Sequence, residues 1–438
     1  MTNIRATGRP GRRPLAVAVA ALLTMGLVAC GGDDGGSGGS VEAGGAEGID
    51  DGTTLTLWTR APLEFQANLL VEAYNETHEN QVDLTITPND DYVSRVGAAA
   101  GSGDLPDLFA ADIVYVPNWT EAGLFSDISD QIAELPFADE INQGHLDAGT
   151  YDGDQYVLPM VLDLSVMFWN KDLYREAGLD PEQGPTTLAE FSEQAQAVQA
   201  LDKKGVYGTY FGGNCGGCNV FTWFPMIWSS GEEVLNEDGT ESLLAGDAAQ
   251  EVYATWRELW EAGAVDPGSR DETGATWVAG FQEGNIGVMP YPATLLATAD
   301  ETVDVGVAPI PGVDGGASTF VGGDGIGISK DSEKDAQAWN FLAWLMSEEA
   351  QVEVLAANNS TVSRSDLASN AYSEADPRLL AINEVAAAPE SSTPVAVNFQ
   401  QAFNAADSPW VTMFRDQVFN GEEDAETQNS LITEILNQ

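Results

Sequence analysis

Thr53-Thr54-Leu55-Thr56-Leu57-Trp58, then Pro62, then Phe65, Leu69, Leu70, Ala73 and Tyr74, is the stretch that decides the fold. Leu55 and Leu57 alternate with threonines, the period of a strand with one face buried. Pro62 suits the first turn of a helix, where a missing N–H costs nothing. The apolar residues from Phe65 to Tyr74 recur at helical spacing. Val82, Leu84 and Ile86 alternate as a second strand, a small-residue helix surrounds Val93–Ala100, and Asp104 to Ala110 gives a third strand. Strand, helix, strand, helix, strand predicts a parallel α/β sheet with helices on its faces. Such sheets bind ligands beyond the carboxyl ends of their strands. The loops after Trp58 and after Ala111 are therefore the first places to look for a site.

The theme repeats further along. Tyr156 to Phe168 is an apolar, strand-like run that Pro159 is expected to break. Thr187 and Glu190 form a capping box opening a helix to about Ala200. Ala248 to Trp260 reads as a helix closed by Gly263, and Val303, Val305 and Val307 as a strand. Gly325 to Ile328 is another strand. Ser332 can cap a helix with Ala338, Phe341, Leu342 and Leu345 on one face, where Trp339 and Trp344 are packing residues. Trp410 to Asn420 and Glu426 to Leu436 read as two helices. The length beyond Asp51 predicts two domains with ample core. No linker separates them, so the chain is expected to cross between two lobes more than once.

The first 29 residues read as a leader rather than as part of the fold. Arg5, Arg9, Arg12 and Arg13 precede an apolar stretch from Leu15 to Val28, too short for a comfortable membrane span. It ends in Leu27-Val28-Ala29-Cys30, the pattern of a lipobox, so Cys30 is expected to be lipidated. Residues 30–50, rich in Gly, Ser, Asp and Glu, are expected to be a flexible tether.

Charge bounds the partners. The chain carries 17 basic and 69 acidic residues for a net −52, and removing the four leader arginines leaves −56. Nucleic acid is excluded, because phosphate binding needs a basic face. Scattered acids with only five lysines suit a salt-adapted protein; an acidic pocket for a cation is the sharper alternative. Cys215 and Cys218 form a CxxC pair, which can be a redox motif, half a zinc site or a short disulfide. Gly216 and Gly217 disfavour the helix start that redox chemistry would want, and the only histidines are His78 and His145, read as exposed. Outside the cytosol a local structural disulfide is the leading reading. No metal site and no cofactor are expected.

Three stretches then carry a family resemblance. The first is Leu105-Pro106-Asp107-Leu108-Phe109 with Trp119, Ala122-Gly123-Leu124-Phe125 and Asp127. The second runs from Tyr151-Asp152-Gly153 through Leu158-Pro159-Met160 and Phe168-Trp169-Asn170-Lys171-Asp172-Leu173 to Pro185-Thr186-Thr187. The third is Phe281 to Met289 with Gly322-Gly323 and the helix behind it. In order and spacing they resemble the bacterial extracellular solute-binding proteins of ABC importers, in the sugar-binding, maltose-binding-protein-like branch. The resemblance implies a two-lobed periplasmic-binding-protein fold of type II, with hinge-linked lobes around a ligand cleft. It implies lobe 1 at about 51–163 plus 303–360 and lobe 2 at about 167–300 plus 362–438, with crossings near Val161–Val166 and Val303–Pro309. It also implies a monomer that binds a mono- or oligosaccharide, is not an enzyme, and hands its cargo to ABC permease transmembrane subunits. The location would be the outer face of the cell membrane, anchored through Cys30.

A sugar presents hydroxyls at its rim and apolar C–H faces, so its site needs planar polar groups and aromatic rings. Arg60 and Glu64 follow the first strand, where the family contacts ligand; a surface ion pair between them is the plainer alternative. Asp112 resembles a sugar-binding position, or else caps a helix. Asp163, inside an apolar run, is costly to bury without a partner. Trp223 and Trp228 lie in the aromatic run Phe221–Trp228. Tyr291 follows a strand expected to end at the cleft, Asp324 replaces a residue that is often Trp, and Trp410 opens a late helix. Two other functions stay open. Glu64, Asp112, Asp163 and Asp324 could bind a polyamine or other cation, which Arg60 in the cleft would count against. A secreted glycoside hydrolase would need two carboxylates facing each other across the bond being cut.

Overall fold

The computed structural model describes residues 45–296, 302–386, 388, 391–422 and 425–438. The leader, Cys30 and the tether up to residue 44 lie outside the described residues. Among the described residues seven strands form one sheet: β1 (Thr54–Arg60), β2 (Gln81–Thr87), β3 (Leu108–Asp112), β4 (Leu158–Asn170), β5 (Val288–Pro292), β6 (Val305–Ala308) and β7 (Val321–Ile328). Their order is β2-β1-β3-β7-β4-β5, with β6 paired to β4 as well. β1 pairs parallel with both β2 and β3. The crossovers between them are helices α1 (Glu64–Thr77) and α2 (Asn89–Ser102). This is the arrangement that the alternation from Thr53 to Ala110 predicts.

β4 is the spine of the molecule. Its first half pairs antiparallel with β7, from Leu158 to Leu164, and its second half pairs with β5 and β6, from Ser165 to Asn170. Pro159 does not break it. The register skips Met160 opposite Asp324 and Gly325, a bulge that takes up the missing N–H. β6 bonds to Met167–Asn170 of β4, so residues 305–308 join the sheet beside the second half of that strand.

One core lies against β1, β3 and β7, with Leu55, Leu57, Leu70 and Tyr74 packed on Phe341 and Leu342 of α6 (Asp335–Leu345). The second gathers Phe191 of α3 (Leu188–Gln199), Trp223 of α4 (Gly216–Trp228), Trp256 of α5 (Asp247–Glu261) and Trp410 of α7 (Pro409–Arg415). In α5 the buried residues Ala249, Val252, Tyr253, Trp256 and Leu259 recur at three and four, the stripe of a helix lying on a core. Helix α8 (Glu426–Leu436) closes the chain.

Local chemistry departs from expectation in four places. Residues 45–49 are not tether: the Trp339 indole donates to the Ala46 carbonyl at 3.1 Å, the Asn340 amide to Glu47 at 2.7 Å, and Ile49 N–H to Ala336 at 2.9 Å. Thr187 does cap α3, but the Glu190 carboxylate accepts from Thr186 N–H at 2.8 Å instead of returning to Thr187. His145 is fully buried, not exposed, and its Nε2 meets the Gly322 carbonyl at 2.9 Å. The CxxC pair does open a helix: Cys215 is the N-cap of α4, its Sγ accepts from Cys218 N–H at 3.1 Å, and the two cysteines are bonded as a disulfide.

Candidate functional site

β1 ends in Arg60 and β3 in Asp112, and because the two strands run parallel, both residues arrive at the same edge of the sheet. β7 runs antiparallel beside β3, in a register that sets Asp324 directly opposite Asp112. Arg60 fills the space between the two carboxylates. Its Nε lies 2.8 Å and its Nη2 2.5 Å from one oxygen of Asp324, and its Nη1 3.0 Å from Asp112. A further bond from Nη1 reaches Asn89 at 3.3 Å. Asp324 is fully buried and the Arg60 side chain only 11% exposed. Burial works against the guanidinium charge, but Asp112 and Asp324 hold it protonated and above its usual range. Burial raises the Asp324 carboxyl, with Arg60 pulling the other way.

Asp163 stands on β4, opposite Gly322 of β7. Thr294 N–H approaches its carboxylate at 3.4 Å. Burial first, then the neighbouring Asp112 and Asp324, push its carboxyl up to about 7, against the opposing pull of Thr294 and Arg60. Gly323, beside it, has φ +102°, and a Cβ there would lie 2.0 Å from the Val161 carbonyl, so only glycine lets the two strands pass this closely.

These side chains open on a cavity of about 210 Å³. Arg60, Asp112, Asp163 and Asn404 supply its polar wall. Phe221, Trp277, Phe320 and Phe399, with Leu63 and Val114, supply the apolar one. Helix α4 contributes through Gly217, Val220 and Phe221, three and four residues apart and so on one face.

Of the residues singled out in the sequence, the fold brings Arg60, Asp112 and Asp163 to this cavity. Asp324 stands behind them as the partner of Arg60. Asp112 also caps the following turn, accepting from Val114 N–H at 3.4 Å. Glu64 is exposed at the start of α1 and does not line the cavity; the surface pair with Arg60 does not form, because Arg60 turns inward. Tyr291 is half-buried and packs edge-on against Trp277, ring centroids 4.5 Å apart.

The three tryptophans expected at the cleft sit elsewhere. Trp223 projects from the far side of α4, fully buried and stacked on Trp256 at 5.2 Å. Trp410 is fully buried and donates to the Gly216 carbonyl at 3.1 Å. Trp228 lies two turns beyond Phe221 and borders a separate hollow with Glu233 and Pro394. Phe221 belongs to the aromatic run Phe221–Trp228, whose composition does not distinguish the ring at the cavity from those in the core. Trp277, Phe320, Phe399 and Asn404 come from segments without helical or strand periodicity, and nothing in the sequence marks them.

Residues 64–352 match the family model described as bacterial extracellular solute-binding protein. The diacetylchitobiose binding protein DasA of Streptomyces coelicolor is 26% identical over 378 residues, covering 82% of this chain and 84% of that one. The arabinooligosaccharide-binding protein of Halalkalibacterium halodurans is 22% identical over 312 residues, 68% of each chain. Among solved structures, an ABC transporter solute binding protein from Thermotoga lettingae bound with α-D-tagatose superposes with a TM-score of 0.75 at 19% identity, over 88% of this chain and 100% of that one. The cyclic α-maltosyl-1,6-maltose binding protein from Arthrobacter globiformis gives 0.71 at 22% identity, over 88% and 98%. These likenesses place the fold among the two-lobed type II periplasmic binding proteins. With a family match running from the first crossover helix to beyond α6, the chain belongs to the bacterial extracellular solute-binding proteins.

Proposed function

We propose that this protein captures a mono- or oligosaccharide outside the cytoplasm and delivers it to the membrane permease of an ABC importer, binding its cargo without transforming it. The observation that carries the reading is the cavity itself, which the carboxyl groups of Asp112 and Asp163 line together with the rings of Phe221, Trp277 and Phe320. Sugar hydroxyls donate to such carboxylates while the C–H faces pack on the rings. Arg60 is already neutralised by its two partners, so it orients Asp112 and leaves that carboxylate's remaining lone pairs for ligand. Its place in the wall counts against a polyamine, which would want carboxylates converging without a cation. The sugars in the names of the relatives above support the same reading.

Closure of the lobes about β4 and β7 would bury carboxylates and rings together on the ligand, with ligand contacts supplying the drive. The leader would be cut before Cys30, the thiol lipidated, and the segment up to residue 44 would tether a monomeric binding module to the membrane. The test is a thermal-shift screen of the purified protein against maltose, cellobiose, N,N′-diacetylchitobiose and spermidine. Ligand at 100 times its Kd adds about 2.7 kcal/mol to the folded state, enough to move Tm by a few degrees. A shift with a sugar is expected; a shift with spermidine alone would overturn the reading.

A further inference from the structure

The cavity wall at Gly217 and Cys218 is covalently closed, because Cys218 is bonded to Cys215 one turn back. A disulfide stabilises a fold least when the loop it closes is short, and this one encloses two residues. In a chain with cores this large it is a weak staple for the molecule as a whole. Its location gives it another use.

The two sulfurs are clasped between glycines of two loops. A Cβ on Gly274, whose φ is +98°, would lie 3.1 Å from Cys218 Sγ and 3.3 Å from Cys215 Sγ. One on Gly212 would lie 2.9 Å from Cys215 Cβ and 3.1 Å from Cys218 Sγ. The backbone at Gly274 thus rests directly on the disulfide. The other end of the same loop is fixed by Glu272, 5% exposed, whose carboxylate accepts from Gly274 N–H at 2.7 Å, Thr276 N–H at 3.1 Å, Tyr210 hydroxyl at 2.9 Å and the Thr276 hydroxyl. Three residues past Gly274 the chain delivers Trp277 to the cavity. Trp277 is 6% exposed, and its indole N–H has no hydrogen-bond partner among the described residues, a buried donor that a ligand can satisfy.

Resting on the reading of this cavity as the ligand site, we propose that the Cys215–Cys218 disulfide is a positioning element of that site: it clamps the first turn of α4 and, through Gly274, the loop that presents Trp277 as a ligand contact. Ligand affinity then depends on the bond, while the bulk of the fold does not.

Cys215→Ser tests this with little else disturbed, because the serine hydroxyl can still cap α4 and Cys218 stays in the wall. Calorimetry with maltose, cellobiose and N,N′-diacetylchitobiose is expected to show the affinity for whichever sugar binds falling roughly fivefold or more, a typical coupling between neighbouring elements. Hydrogen exchange is expected to speed up at the amides of 272–278 and not in β1 or β3. If the variant does not fold, wild type reduced with tris(2-carboxyethyl)phosphine serves instead; the phosphine and a water leave as phosphine oxide while the bond opens to two thiols. Unchanged affinity in the folded variant, or unchanged exchange at 272–278, would overturn the proposal. If none of the three sugars binds, the sugar reading fails, and the exchange at 272–278 still decides the positioning role.

Discussion

Arg60 and Asp324, 264 residues apart in the chain, share two hydrogen bonds across the end of the sheet, and Asp324 does so with no exposed surface at all. Removing one partner of a buried ion pair costs up to about 3–5 kcal/mol, and without Asp324 the buried Arg60 would keep only the more exposed Asp112. Asp324→Ala is therefore expected to lower the urea unfolding midpoint by a corresponding amount. Glu64→Ala, at an exposed helix start, is expected to stay within about 0.5 kcal/mol of wild type. Equal effects from the two would show that the buried pair is not there.

Asp163 gives the site a pH dependence. Its carboxyl is raised from 3.8 to about 7 in the folded protein, mainly by burial, so the folded state holds a proton that the unfolded chain releases. That contribution to stability is fully present below pH 3.8 and is lost as pH rises through about 7. Asp163→Asn cannot titrate. Relative to wild type it is expected to gain stability between pH 5 and 8, read as the difference in unfolding midpoint across that range. A difference that stays flat with pH would contradict the assignment.

His145 works in the opposite sense. Burial lowers its imidazole from 6.5 to about 4, while its bond to the Gly322 carbonyl favours the proton on Nε2. A lowered histidine contributes stability above pH 6.5 that is lost as pH falls toward 4. Gly322 lines the cavity, so His145 supports the strand from behind the site. Denaturation of His145→Asn followed between pH 7 and 4 is expected to show a shallower acid slope than wild type.

Trp223 and Phe221 are two residues apart in α4 and face different worlds. Trp223→Ala is expected to cost about 3–5 kcal/mol of stability, as large-to-small changes of buried aromatics do, with no change in Kd for the folded protein. Phe221→Ala removes a ring from the cavity and is expected to weaken sugar binding with a smaller loss of stability. Calorimetry paired with urea unfolding separates the two outcomes.

The strands and crossover helices were legible because their cores impose periodicity: Leu55 and Leu57 on a strand, Val252, Tyr253, Trp256 and Leu259 on a helix. Arg60 and Asp112 were legible for a related reason, since a parallel sheet exposes the carboxyl ends of its strands as a site. The aromatic wall was not. Whether a tryptophan faces a core or a cleft depends on its angle around a helix that lies between the two, and Trp223 and Phe221 differ in that angle alone. Trp277, Phe320 and Phe399 reach the cavity through loops and strand ends whose path is set by distant contacts, such as Gly274 resting on the disulfide. Pro159 is tolerated inside β4 because of a bulge that is a property of the pairing with β7, absent from the segment read by itself.

The most direct test of the central claim is a calorimetric titration of wild type and Asp112→Asn with the sugar that gives the largest thermal shift. One sugar per chain, with affinity in the variant reduced about tenfold or more for loss of a charged hydrogen-bond acceptor, is the predicted result. Sugar binding undiminished in Asp112→Asn, or no heat with any sugar, would contradict the assignment of this cavity as the sugar site.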